Sequence, residues 1–151
     1  MSLGDKVMII LNGTIEAAKG IIPLQFTVDK PSHFTAPLTQ SSIGVLIGMT
    51  GDVRGRLIIE GDVSSFSHIG EMMFGMALEG EMLQSFTGEL GNMIAGNLAT
   101  TLSQQGITMD ITPPTVLVGQ AKLYGFKKAF RVPILIENIG EIQIIVTVES
   151  D

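Results

Sequence analysis

The stretch from Met82 to Gln105, MLQSFTGELGNMIAGNLATTLSQQ, constrains this chain more than any other. It is the longest segment with helical periodicity, and it holds no proline. Gly106 is placed to end the helix, and Glu79 and Glu81 stand where the positive end of a helix dipole favours acids. At about 100° per residue, Leu83, Phe86, Leu90, Met93, Ile94 and Leu98 gather on one side, which reads as core. Asn97 falls toward that side and reads as a buried, hydrogen-bonded structural residue. Ser85, Glu89, Asn92, Gly96 and Ser103 gather on the opposite side, with Gly88 and Ala99 beside them.

That second face is unusual in composition. A solvated helix face normally carries Lys, Glu and Arg, which are long, charged and good helix formers. Here Glu89 is the only charge, and two glycines, Gly88 and Gly96, sit on or beside this face within the helix body, each costing up to about 1 kcal/mol relative to alanine. Two explanations remain open at this level. Either the glycines let another helix of the same chain come close, or they make a low platform for another protein, with Glu89 and Asn92 projecting from it.

The rest of the chain supplies a sheet for this helix to cover. Asp5 is placed to cap a first helix that runs to about Ile22, where Pro23 stops it. Leu24 to Val28 alternates like a strand, and Asp29 to Gln40, with two prolines, reads as a loop or a frayed edge. Ser42 to Met49 and Val53 to Glu60 are β-prone, joined by a hairpin turn at Thr50-Gly51-Asp52. Ser64 or Ser65 caps a second helix from Phe66 to Leu78, in which Ile69, Met72, Met73 and Met76 recur at helical spacing and read as core. Thr115 to Tyr124, Ala129 to Ile136 and Glu141 to Glu149 are three further strands, with turns at Gly125-Phe126-Lys127 and Asn138-Ile139-Gly140. Pro133 places the middle one at an edge or a bulge. The order α–β–β–β–α–α–β–β–β predicts an α+β fold: an antiparallel sheet with helices packed on one face, as a single domain over residues 1–151.

Composition removes several classes of function. With 45% hydrophobic and 16% charged residues, 151 residues make a globular domain with a substantial core. A net charge of −6 argues against nucleic acid and against anionic membrane surfaces as partners. The absence of cysteine excludes disulfides, thiol catalysis and cysteine metal sites. The two histidines, His33 and His68, are too far apart in sequence for metal-ligand spacing or a triad. GMTGDVRGR is glycine-rich but lacks the Gly-Lys-Ser/Thr of a phosphate-binding loop. No apolar run reaches a membrane span and no signal peptide is evident, so the expected location is the cytoplasm.

Ser85-x-x-x-Glu89-x-x-Asn92, continuing as Gly96-Asn97-Leu98-Ala99-Thr100-Thr101-Leu102-Ser103, with Pro113 and Pro114 about one strand later, resembles the signature of the CheC/CheX/FliY chemotaxis phosphatases. Glu-x-x-Asn alone is a chance spacing; its extension along one helix is much more specific. In the CheC branch the first helix carries a second Glu-x-x-Asn. Here Ile9 stands three residues before Asn12, so the resemblance implies one site per chain, as in the CheX branch. It further implies a substrate that is itself a protein: a CheY-like response regulator bearing an aspartyl phosphate and holding its own Mg²⁺. This chain then needs no cofactor of its own. The resemblance gives Glu89 and Asn92 the catalytic roles, Asn92 orienting the attacking water and Glu89 pairing with a regulator lysine, while Ser85, Gly88 and Gly96 contact the partner. It also implies a homodimer joined through the sheets. A non-catalytic module that docks a regulator, or one related to the flagellar switch, is the alternative of a different class.

Overall fold

The computed structural model describes residues 3–34, 38–40, 42–119, 121–123, 126 and 128–149. In chain order they form α1 (Leu3–Ile21), β1 (Phe26–Val28), β2 (Ser32–Phe34), β3 (Leu38–Gln40), β4 (Ile43–Gly51), β5 (Gly55–Gly61), α2 (Val63–Phe74), α3 (Gly80–Gln104), β6 (Met109–Ile111), β7 (Thr115–Val118), β8 (Ala121–Leu123), β9 (Lys128–Ile136) and β10 (Gly140–Val148). The main sheet is antiparallel throughout, in the order β1-β9-β10-β5-β4-β6, with β2 also on β9 and β7 also on β4. β3 and β8 pair with each other as a separate ribbon.

Strand periodicity decides which face the helices cover. Ile43, Val45, Ile47 and Met49 of β4, and Ile142, Ile144, Val146 and Val148 of β10, alternate onto one face and are buried in a single core with residues of α1, α2 and α3. The opposite face holds a second, smaller apolar cluster built on Ile58, Ala129 and Ile145. The expected α+β architecture is therefore the one observed.

Local departures from the sequence reading have local causes. α1 begins at Leu3, so Asp5 lies inside its first turn and not at its cap. α2 begins after Asp62 and stops at Phe74, four residues short of Leu78, because Gly75 takes a left-handed conformation (φ 78°) and its N–H donates to the Glu71 carbonyl. Met76 thereby leaves the helix altogether. The hairpin turn shifts past Gly51, because β6 pairs with Met49–Gly51 and extends β4. Thr115 to Tyr124 is two strands, not one: Gly119 (φ 82°) breaks it, and β8 leaves the main sheet for β3. Within Asp29–Gln40 both β2 and β3 form, and residues 35–37 lie outside the described residues. The turn expected at Asn138-Ile139-Gly140 forms, with Ile139 N–H donating to the Ile136 carbonyl at 3.1 Å. Gly125 and Lys127 of the other expected turn lie outside the described residues.

Pro133 sits at neither a free edge nor the centre of a ladder. Its carbonyl accepts from Asp29 N–H at 2.9 Å, on the side where β1 has ended and β2 has not begun. A residue's N and C=O point to the same side of a strand, so the missing N–H faces that break and leaves the β10 ladder intact.

Candidate functional site

α3 is held against the sheet by its small residues. A Cβ built on Gly91 would fall on the Val45 side chain of β4, and one on Gly88 would lie 3.0 Å from Val116 Cγ2 of β7. Both glycines are buried. Of the two glycines on the second face, Gly88 packs within the chain, but against a strand and not against another helix, while Gly91, on the core side, does the same. Gly88 is accordingly corrected from a partner contact to an interior packing residue. On the other flank α1 approaches α3 closely, with Leu98 over Gly13.

This packing fixes which arc of α3 stays open. Ser85 and Glu89 are exposed, and Asn92 and Gly96 are half-buried. Nothing lies within 4 Å of a Cβ built on Gly96. Asn97 is exposed, contrary to the expectation that it is buried, and Met93 is 36% exposed and not core. The open arc is therefore rotated from the expected one, away from Gly88 and toward Met93. Glu89 and Asn92, three residues apart, are neighbours on it, with Cβ atoms roughly 5–6 Å apart. Among the described residues neither side chain has a hydrogen-bond or ion-pair partner, so both functional groups are available to a ligand. An asparagine amide offers a donor and an acceptor from one rigid group, and an exposed carboxylate is an acceptor of two or more hydrogen bonds. Pro113 and Pro114 lie between β6 and β7, and β7 is the strand that brings Val116 against Gly88.

Sequence reasoning missed the apolar surface beside this pair. Because α2 ends early, Phe74 and Met76 are 64% and 56% exposed, and Met82 at the start of α3 is 59% exposed. Phe74 stands edge-on to Phe86 at 5.7 Å between ring centroids. Met73, Phe74, Phe86 and Met93 line a cavity of about 340 Å³ whose wall also includes Ser85 and Glu89. A second depression, about 480 Å³, lies next to it among Phe74, Met76, Leu78, Met82, Glu81 and Ser85. The available signal was Gly75, a helix stop that places Met76 beyond any core stripe. Of the four methionine-stripe positions expected to be core, only Ile69 is fully buried; Met73 is half-buried and Met72 and Met76 are exposed.

The charge around this surface has one sign. From Leu57 to Ala121 the sequence contains no Lys or Arg, while Glu71, Glu79, Glu81 and Glu89 are all exposed on α2, α3 and the link between them. Among the described residues no group of three or more His, Cys, Asp or Glu is arranged to hold a metal ion. No described helix is long and apolar enough to cross a membrane.

Comparison with known proteins gives this geometry a context. The family described as chemotaxis phosphatase CheX matches residues 43–134. The CheY-P phosphatase CheX of Thermotoga maritima is 30% identical over 145 residues, spanning 93% of this chain and 94% of that protein. Among solved structures, CheX of Borrelia burgdorferi, in its complex with CheY, BeF₃ and Mg²⁺, superposes with a TM-score of 0.79 at 22% identity, over 95% of this chain and 97% of that one. A CheC-like superfamily protein from Shewanella sp. PV-4 superposes with a TM-score of 0.80 at 24% identity, over 99% of this chain and 100% of that one.

Proposed function

The chain belongs to the CheX family of chemotaxis phosphatases, and we propose on that premise that it hydrolyses the aspartyl phosphate of a CheY-like response regulator through Asn92 and Glu89 of α3. The observation that carries the assignment to these residues is their joint placement: a half-buried carboxamide and an exposed carboxylate one turn apart, without partners among the described residues, on the arc of α3 that the sheet leaves uncovered.

The substrate brings much of the chemistry. The regulator's acyl phosphate is already activated, and the Mg²⁺ it binds neutralises charge on the phosphoryl group. What this chain adds is position. The Asn92 carbonyl oxygen accepts from the attacking water and its amide N–H₂ donates toward the phosphoryl oxygens, holding the water in line with phosphorus. The water oxygen forms the new P–O bond as the bond to the aspartyl oxygen breaks. The regulator's carboxylate is regenerated, and the water's proton leaves with inorganic phosphate. The Glu89 carboxylate pairs with a lysine of the regulator and fixes the docking register. Ser85 and Gly96 border the contact. The reaction belongs in the cytoplasm, where response regulators act.

The protein is further proposed to be a homodimer with one site per subunit. Val28 on β1, Val118 on β7 and Leu135 on β9 beside β1 are exposed apolar side chains toward the two margins of the main sheet, apolar area that a second copy covers. Light scattering at micromolar concentration should give about twice the 16.1 kDa chain mass; a mass near 16.1 kDa contradicts the dimer. The phosphatase itself is tested by mixing the protein with phosphorylated T. maritima CheY and following inorganic phosphate. Release faster than the regulator's own decay is expected; an unchanged decay overturns the assignment.

A further inference from the structure

We propose that the methionine-rich surface formed by Phe74, Met76, Met82 and Met93 is the principal docking contact for the regulator, receiving an exposed apolar side chain that the regulator presents amid lysines or arginines. The inference rests on the phosphatase reading above, and it names what the regulator must offer beside its phosphorylated aspartate.

Three features carry it. The first is continuity. The cavity walled by Met73, Phe74 and Met93 shares Ser85 and Glu89 with the catalytic arc, so a protein that reaches Asn92 also covers this surface. The second is exposure without an internal purpose. Phe74, Met76 and Met82 each leave more than half of their area in water, although they are large and apolar and lie side by side. Methionine is unbranched and polarizable, and it shapes itself to a partner at small cost in strain. The third is charge. Glu81 and Glu89 line the two depressions, Glu71 and Glu79 are exposed on α2 and the link to α3, and the sequence has no Lys or Arg between Leu57 and Ala121, so this surface repels acidic partners and selects an apolar contact with a cationic rim. Glu89 and Asn92 alone are two side chains on one helix; the patch supplies the buried apolar centre that a specific protein contact needs.

The test separates docking from chemistry by measuring binding alone. T. maritima CheY, activated with BeF₃⁻ and Mg²⁺ so that nothing turns over, is titrated against the parent, Met76→Ser/Met82→Ser, Phe74→Ser and Met8→Ser. Met8 is another exposed methionine, on α1, that lines neither cavity. Because Phe74 touches Phe86, its variant is checked for folding by its melting temperature; the double methionine variant changes only exposed side chains. Affinity lowered tenfold or more in the double variant, with Met8→Ser binding like the parent, is the expected result. Parent-like affinity of the double variant overturns the docking surface and leaves the phosphatase reading standing. Absence of binding by the parent overturns the docking proposal outright, whereas binding without phosphate release overturns only the phosphatase reading.

Discussion

At the scale of single residues, Glu89 and Asn92 carry different parts of the proposed reaction, and they separate experimentally. Glu89 is an exposed carboxylate with no partner among the described residues, and the role proposed for it is an intermolecular ion pair. Glu89→Ala should weaken regulator binding on the order of tenfold at low ionic strength, with a difference that shrinks as salt is added. Titrations at two salt concentrations check this, and equal dissociation constants for parent and variant would remove Glu89 from the docking contact. The outward placement of both residues was legible in the sequence because a helical wheel puts them on a face lacking other charges; their proposed roles come from the family resemblance. Gly88 was misplaced because a wheel knows only angle. It lies at the border of the arc, and the neighbour that buries it, Val116, is 28 positions away in sequence. Asn97 was misplaced for the converse reason: the angle is near the boundary, and no packed element covers it.

At the scale of the elements, α3 carries two kinds of glycine, and the structure assigns opposite signs to their replacement. Gly91→Ala pushes a Cβ into Val45 of β4, in a strand paired on both sides, and should cost roughly 1–3 kcal/mol by overpacking. A Cβ at Gly96 has nothing within 4 Å, so Gly96→Leu, with its better helix propensity, should leave stability unchanged or raise it by up to about 1 kcal/mol, while the branched side chain blocks the regulator. Thermal denaturation of the two variants checks the pair. A lowered melting temperature for Gly96→Leu would mean that this part of the face is buried. The order of helices and strands was readable because Val- and Ile-rich runs and the long periodic helix are strong local signals. The extent of α2 was not, since helical spacing continues past Gly75 on paper while a left-handed glycine ends the helix in space. The division of Thr115 to Tyr124 into β7 and β8 likewise depends on which strand each half pairs with, and that is a property of the folded sheet.

At the scale of the whole molecule, the two faces of the sheet carry different burdens. The helix-covered face is apolar, while the other holds Glu60, whose Oε2 is buried without a hydrogen-bond partner among the described residues. Burial pushes the Glu60 carboxyl above its ordinary value, and the Arg131 charge opposes that shift only in part. In the window between the ordinary value and the raised one, the folded chain holds a proton that the unfolded chain has lost, so stability declines as pH rises through it. Glu60→Gln should therefore melt with the parent below that window and above the parent at neutral pH; a lower melting temperature at neutral pH would show that the pairing with Arg131 outweighs the burial. The helix-covered half carries the proposed site, an acidic, methionine-lined surface with Asn92 at its border. The most direct test of that account is single-turnover dephosphorylation of CheY-P at saturating concentrations of parent and Asn92→Ala, with affinity for the BeF₃⁻-activated regulator measured alongside. The account predicts a maximal rate lowered roughly 10²-fold by loss of the positioned water, at unchanged affinity. An unmutated rate in Asn92→Ala would contradict it.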